Sequence, residues 1–267
     1  MQDEILRFAQ NDTIMCLIGI SYRDGPEPEL VLAANRDEFH ERPSAPAGPW
    51  LDAPHVFGGR DLKSGGSWLA VSLRGRLAAV TNVRRMIPPH PQAPTRGALV
   101  ADFVRGSASA AGFAAGLRAT ADAYSGFNLL LYDGRELLYV DNHPAYEVAP
   151  VAPGVHVVSN DQLDTPWPKA LRLKAQLERT TRREALFEAL VDRRPAADAE
   201  LPDTGVGLQL ERMLSPPFIV SAGYGTRCST FVRLALGALD FEERRFDAYG
   251  HQIGATRERL AVDAPRI

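Results

Sequence analysis

MCLIGI, Met15-Cys16-Leu17-Ile18-Gly19-Ile20, is followed at 30–43 by LVLAANRDEFHERP, and these two stretches decide how the chain is read. A methionine stands directly before a cysteine that opens an apolar run, and Arg36 follows between Asn35 and Asp37. CLIGISY (16–22) and LVLAAN (30–35) are strand-like, with the turn-rich RDGPEPE (23–29) between them, so an antiparallel hairpin is predicted. Pairing Tyr22 with Leu30 sets Cys16 opposite Arg36, on one face and within side-chain reach. The seven-residue connection does not itself determine that register, and a slip of one residue reverses the faces. In this register a guanidinium lies beside a thiol, and a neighbouring cation favours the nucleophilic thiolate. The competing reading is bland. Cysteine is commonly buried and inert, and an Arg-Asp-Glu run at a strand end is ordinarily solvated. On the residues alone the inert strand cysteine is favoured.

The 267 residues are 45% hydrophobic and 24% charged, an ordinary globular composition that fills one large domain or two small ones. A net charge of −3 and a pI near 6.1 give no reason to expect nucleic acid or an anionic membrane as partner. No apolar run approaches the ~20 residues that span a bilayer. Residues 1–14 lack a basic segment, an apolar core and a small-residue cleavage site, so no secretory signal is expected and the location reads as cytoplasmic. Two cysteines, Cys16 and Cys228, exclude a disulfide framework and a four-cysteine zinc site. One long-range disulfide stays open, although two reduced thiols suit a cytoplasmic protein better. The six histidines, at 40, 55, 90, 143, 156 and 251, never take metal-site spacing, so no metal is expected.

Further along, WLAVSL (68–73) and RLAAVTN (76–82) predict a hairpin around Arg74-Gly75, and FNLLLYD with ELLYVDN (127–142) another around Gly134-Arg135. The proline-rich IPPHPQAPT (87–95) must be loop. Alanine-rich spacing predicts helices within 97–124. GVHVVSN (154–160) reads as a strand. Residues 167–193 keep helical periodicity throughout, with Pro168 tolerated in the first turn. Residues 194–212 read as a surface loop, then PPFIVSA (216–222), TFVRLAL (230–236) and FEERRFD (241–247) as strands, with GYGTRCS between the first two. Without a repeat or low-complexity linker, this order predicts one α+β domain with helices packed on antiparallel sheets.

Met15-Cys16, Asn35-Arg36-Asp37-Glu38 and Arg42-Pro43 resemble the NRDE family, also called the transport and Golgi organization protein 2 family. GGRDLKSGGSWLAVS (58–72), LAAVTNVR (77–84), Arg96-Gly97, GFNLLLYD (126–133), VVSNDQLDTPWPK (157–169) and YGTRCSTF (224–231) extend the resemblance over roughly residues 15–250. Departures are small: Ser67 where threonine is frequent, and Cys228 where serine is common. The resemblance implies an N-terminal-nucleophile (Ntn) hydrolase-like fold, a four-layer αββα sandwich. It is similar to the cysteine acyl-amide hydrolases of the choloylglycine and penicillin acylase group, whose nucleophile is the first residue of the mature chain. Residues 1–14 then read as a mis-assigned start or an extension, 15–267 as a single domain, and Met15 as an initiator whose trimming exposes Cys16.

The implied chemistry is concrete. The α-amine of Cys16, with an ordinary pKa of about 7.7–8.0, acts as base for its own thiol. The thiolate attacks an amide or ester carbonyl and leaves an acyl-enzyme for water to hydrolyse. Arg36 stabilises the thiolate and Asp37 orients the amine. Asn82 and Asn160, each ending an apolar strand, are candidate oxyanion donors, and Arg227 is the candidate second cation. Each has a plainer alternative: asparagine at a strand end forms turns, and Arg227 pairs with a carboxylate. Gly58-Gly59 and Gly65-Gly66 cradle a ligand or, better, make sharp turns, while Trp68 and Trp167 read as core.

Three functions compete. The first is a cysteine Ntn hydrolase cleaving a small acyl amide or ester, without a cofactor. The second is a haem or small-ligand trafficking protein on that scaffold, with Cys, His or Tyr as axial ligand, although no Cys-x-x-Cys-His motif is present. The third is a scaffold that has lost catalysis. Oligomeric state is not readable from the sequence. Arginine outnumbers lysine 27 to 3, a bias of GC-rich bacterial genomes that argues against a literal Golgi role.

Overall fold

The structure is a computed structural model that describes residues 15–84 and 92–263. The proposed extension, 1–14, and most of the proline-rich segment 87–95 lie outside the described residues. The first hairpin forms in the expected register: β1 (Met15–Arg23) and β2 (Glu29–Phe39) pair antiparallel, with Tyr22 opposite Leu30 and Cys16 opposite Arg36. The structure corrects one expectation about its end. Asn35-Arg36-Asp37-Glu38 is not a solvated strand end, since all four residues are buried. The reason is that β11 (Tyr224–Ala235) pairs along the other edge of β2 and carries the polar run into the middle of the sheet.

That sheet is completed by β10 (Gly154–Val158), which pairs with β1, and by β12 (Ala238–Phe246) and β13 (Gln252–Ala261) beyond β11. The second sheet is a seven-stranded antiparallel meander in chain order. Its strands are β3 (Ser44–Trp50), β4 (Ala53–Asp61), β5 (Leu69–Ser72), β6 (Arg76–Asn82), β7 (Phe127–Tyr132), β8 (Leu137–Asp141) and β9 (Glu147–Pro150).

Period-two alternation sorts the side chains into layers. From the first sheet, Ile18, Ile20, Leu30 and Leu32 pack against Phe57, Val71, Leu77 and Leu130 of the second, forming the core between the sheets. Helices α1 (Arg96–Arg105) and α2 (Ala110–Leu117) cover the far face of the second sheet, where Leu99, Val100 and Phe103 meet Ala78, Val80 and Leu129. Helices α3 (Pro168–Arg179) and α4 (Arg183–Leu190) cover the far face of the first, with Leu173, Leu177 and Phe187 over Leu17, Val31 and Ala33. The result is the expected four-layer αββα sandwich with antiparallel sheets. Close helix approach depends on Gly19, where a Cβ would fall 2.6 Å from Leu177 Cδ1 and 2.8 Å from Leu173 Cδ2.

The structure also corrects several element boundaries. The helix expected over 167–193 is broken at Thr180, which takes extended angles (φ −167°, ψ 143°). The Thr180 hydroxyl accepts from the Arg182 N–H at 3.1 Å, an alternative to the helical bond, while both halves keep one apolar face and so mimic a single period. The 194–212 loop contains a 3₁₀ turn at 198–200 and most of α5 (Leu208–Leu214). PPFIVSA is not a strand: only a single bridge, Val220 to Gly225, forms there. GYGTRCS lies almost wholly inside β11. Four strands go unannounced in the sequence: β4, and the three edge strands β3, β9 and β13. Pro46 and Pro49 are tolerated in β3 because it is an edge, and β13 shows no apolar alternation because it is largely exposed. Among the described residues no helix is long and apolar enough to cross a membrane.

Candidate active site

The site is built where β1 begins. Alternation along β2 sends Arg36 between the sheets and Asn35 and Asp37 toward the helices. Asn35 is a structural tie: its Nδ2 donates to the Leu190 and Pro217 carbonyls, both at 2.8 Å, and its Oδ1 accepts from Ser229 Oγ at 2.6 Å.

Cys16 is 3% exposed, and Ser159 Oγ donates to its carbonyl at 2.9 Å. Burial, reinforced by the Asp37 charge, pushes the thiol up to about 12, against the opposing pull of Arg36 and an Asp37 backbone N–H. With the chain continuing into Met15, this thiol stays protonated at neutral pH.

Arg36 lies opposite Cys16, stacked 4.3 Å above the Trp68 ring of the facing sheet. One nitrogen, Nη2, sits 3.4 Å from Glu38 Oε2. Its Nε and Nη1 are buried without a hydrogen-bond partner. Desolvated cation–π contacts are worth about 2 kcal/mol, but they leave those two donors unused.

Gly59 is what seats Trp68. It lies inside β4 rather than in the sharp turn expected, and a Cβ there would fall 2.3 Å from Trp68 Cη2. The rigid indole cannot yield as a flexible side chain would. Gly59→Ala is therefore expected to destabilise the fold by about 1–3 kcal/mol. Urea unfolding, together with loss of the Trp68 fluorescence environment, checks this. Gly65 and Gly66, in contrast, do occupy the expected turn with φ of +70° and +77°.

Asp37 Oδ1 accepts from Thr226 Oγ1 at 2.6 Å, while Oδ2 is buried without a partner. Burial raises its carboxyl to about 6, against the pull of Lys169, the Thr226 bond, Arg84 and Arg36. Asn82 and Asn160 come together: Asn160 Nδ2 donates to Asn82 Oδ1 at 2.6 Å and to the Asn82 carbonyl at 3.3 Å. Asn160 Oδ1 accepts from Ser159 Oγ at 3.1 Å and Arg84 Nη2 at 3.4 Å. Asn82, with its amide oxygen engaged, lines a small cleft together with Arg36, Trp68, Ser67 and Arg96.

Arg227 is committed to backbone carbonyls. It occupies the irregular position between Thr226 and Cys228, where the β11–β2 register shifts and the side chain is re-aimed. Its Nη1 donates to the carbonyls of Phe39 (2.7 Å), His40 (3.2 Å) and Arg42 (3.2 Å), so it clasps the turn after β2 and is not among the cleft-lining residues. Both cysteines are free. They flank Arg36 from the two neighbouring strands, so roughly 9–10 Å separates their backbones, beyond disulfide reach.

The family profile described as Transport and Golgi organisation 2 matches residues 15–248. The chain belongs to the transport and Golgi organisation 2 family. It is 34% identical over 279 residues to the Transport and Golgi organization protein 2 homolog of Bos taurus, covering 94% of this chain and 96% of that one. The Homo sapiens homolog is 33% identical over 258 residues, covering 86% and 92%. Two solved structures are similar in outline. One is the Caenorhabditis elegans N-acylethanolamine-hydrolyzing acid amidase ortholog, at 10% identity and TM-score 0.48 over 81% of this chain and 91% of that one. The other is a mutant conjugated bile acid hydrolase from Clostridium perfringens, at 8% identity and TM-score 0.49 over 93% and 96%.

In this member of the transport and Golgi organisation 2 family, the structure adds residues that the sequence reading did not single out. Arg84 Nη1 pairs with Glu211 Oε2 at 2.7 Å, and its guanidinium lies 4.6 Å over the Trp167 ring. Glu211 Oε1 in turn accepts from Thr204 N at 2.9 Å and Thr204 Oγ1 at 2.5 Å. Lys169 is 1% exposed in the first turn of α3, its Nζ without a hydrogen-bond partner. A signal for Lys169 does exist in the chain: with Leu173 and Leu177 it forms an i, i+4, i+8 ridge, so a lysine heads a buried stripe.

Proposed function

We propose that this protein is a cysteine N-terminal-nucleophile hydrolase that cleaves a small acyl amide or ester through a thioacyl intermediate. The observation that carries this reading is a pair of unmet needs beside Cys16. Arg36 keeps two buried donors unpartnered next to the thiol, and Asp37 keeps one buried oxygen unpartnered next to the start of β1. Buried polar atoms are nearly always satisfied, so such orphans mark places where a further group belongs. A thiolate answers the first need, and the α-amine released by cutting before Cys16 answers the second. The family match beginning at residue 15 supports a start at that point.

In the reaction, the Cys16 α-amine takes the thiol proton as Sγ attacks the substrate carbonyl carbon. The C–S bond forms while the carbonyl oxygen becomes an oxyanion. On collapse the C–N or C–O bond breaks, and the leaving group takes the proton from the α-ammonium. Water, deprotonated by the same amine, then attacks the thioester carbonyl; the C–S bond breaks, the carboxylic acid leaves, and the thiolate takes back the proton from the α-ammonium. Because Asp37 must be ionised to orient the amine, activity rises with pH through about 6. Asn82, held by Asn160, is the better-placed oxyanion donor of the two, since the Asn160 amide is already spent on Asn82. Asn82→Ala is expected to lower kcat by about 10²–10³-fold with KM little changed, and Asn160→Ala to act more mildly by releasing Asn82. Steady-state kinetics on both variants checks the order.

The reading is tested by comparing a chain that begins at Cys16 with one that keeps Met15, using an activated acyl ester such as a p-nitrophenyl ester. A stoichiometric burst of leaving group from the first and none from the second is expected. Equal and Cys16-independent release from both would sink it.

A further inference from the structure

We propose that Lys169 is a positioning residue of the Cys16 centre: its buried ammonium holds the Asp37 carboxylate ionised where β1 begins. The catalytic consequence rests on the hydrolase reading above, but the electrostatic relation belongs to the folded chain itself.

The placement comes from packing. Helix α3 lies on the helix-side face of β1, with Leu173 and Leu177 closing over Gly19. Lys169 precedes Leu173 by four residues on the same ridge, about 6 Å along the helix. Its charged and titratable neighbours are Arg84, Asp37, Cys16 and Glu211, which sets it at the Cys16 end of the strand. Met15 pairs with Asp37 at that end, so Asp37 shares this face. Lys169 Nζ and Asp37 Oδ2 are both buried and both without a hydrogen-bond partner.

A buried ammonium without a partner is costly unless an opposite charge compensates it. Glu211 is committed to Arg84 and Thr204. Asp37 is the carboxylate that remains. The groups that act on Asp37 come from several elements: Cys16 on β1, Arg36 on the far face of β2, Thr226 on β11, Arg84 after β6 and Lys169 on α3, while Glu211 on α5 neighbours Lys169 itself. Among the charges that favour its ionised form, Lys169 acts most strongly, ahead of Arg84 and Arg36. Burial lifts the carboxyl to about 6 and lowers the ammonium to about 8, so at neutral pH both are charged. Without the ammonium the carboxyl is pushed further toward its protonated form, in which it accepts less well as a carboxylate.

The experiment is a pH titration of the full-length chain labelled with carboxyl-¹³C aspartate, with Asp37→Asn identifying the resonance. A wild-type midpoint near 6 is expected. Lys169→Met should raise it by about one unit or more, the effect of removing a nearby opposite charge, and Lys169→Arg should restore it. Should the Met variant fail to fold, Lys169→Gln, which keeps a polar head, reads the same quantity. An unchanged midpoint in the folded neutral variant would overturn the proposal. The two readings fail separately. A shifted midpoint in a protein whose Cys16 transfers no acyl group removes the hydrolase and leaves Lys169 its role. Acyl transfer with an Asp37 midpoint indifferent to Lys169 does the reverse.

Discussion

Cys16→Ala, made in a chain that begins at position 16, is expected to abolish the acyl-transfer burst and to cut turnover by about 10⁴–10⁶-fold, the range for removing a nucleophile. The effect is chemical and not structural. Cys16 is a small buried side chain, and deleting its sulfur costs about 1 kcal/mol, leaving the fold intact. Retaining Met15 should cost as much as removing the thiol. An amide nitrogen is no base, and burial then holds the thiol near 12, protonated at any physiological pH. Stopped-flow detection of the leaving group, alongside thermal unfolding of each protein, separates lost chemistry from lost structure.

The largest expected effect on stability lies at Glu211. Glu211→Ala removes the partner of a 98%-buried Arg84 and two acceptor bonds from Thr204. Truncating one side of a buried ion pair costs about 3–5 kcal/mol. Urea unfolding should show the midpoint fall without a change of slope. The exposed Arg212–Asp198 pair, 2.5 Å apart on the surface, is the control: Asp198→Ala should leave the midpoint unmoved. Because Arg84 also contacts Asn160 and stacks on Trp167, Glu211→Ala should lower the burst rate as well.

The hairpin and its register were legible because both strands are apolar on two faces and one turn-rich segment joins them, so Cys16 met Arg36 as read. The pairing of Asn82 with Asn160 was half legible. Each was seen as a strand-end amide, but their 2.6 Å contact joins β6 to the segment after β10, 78 residues on, and no local pattern reports that. The bonds of Arg227 are not legible in the sequence, because a bulge, invisible in a pattern of alternating residues, turns it toward three carbonyls. The burial of the Arg-Asp-Glu run is not legible in composition for another reason: β11, nearly two hundred residues on, supplies the cover. Lys169 is marked only by its ridge position, since a single lysine in a helix of mixed charge otherwise reads as solvated.

The central claim is that Cys16 works as the first residue of the mature chain. Its most direct test is tandem mass spectrometry of the protein recovered from cells and briefly exposed to an activated acyl ester. A chain that begins at Cys16 and carries one added acyl group on that residue is the expected result. A chain that retains Met15, or one that begins at Cys16 yet takes up no acyl group there, would contradict it.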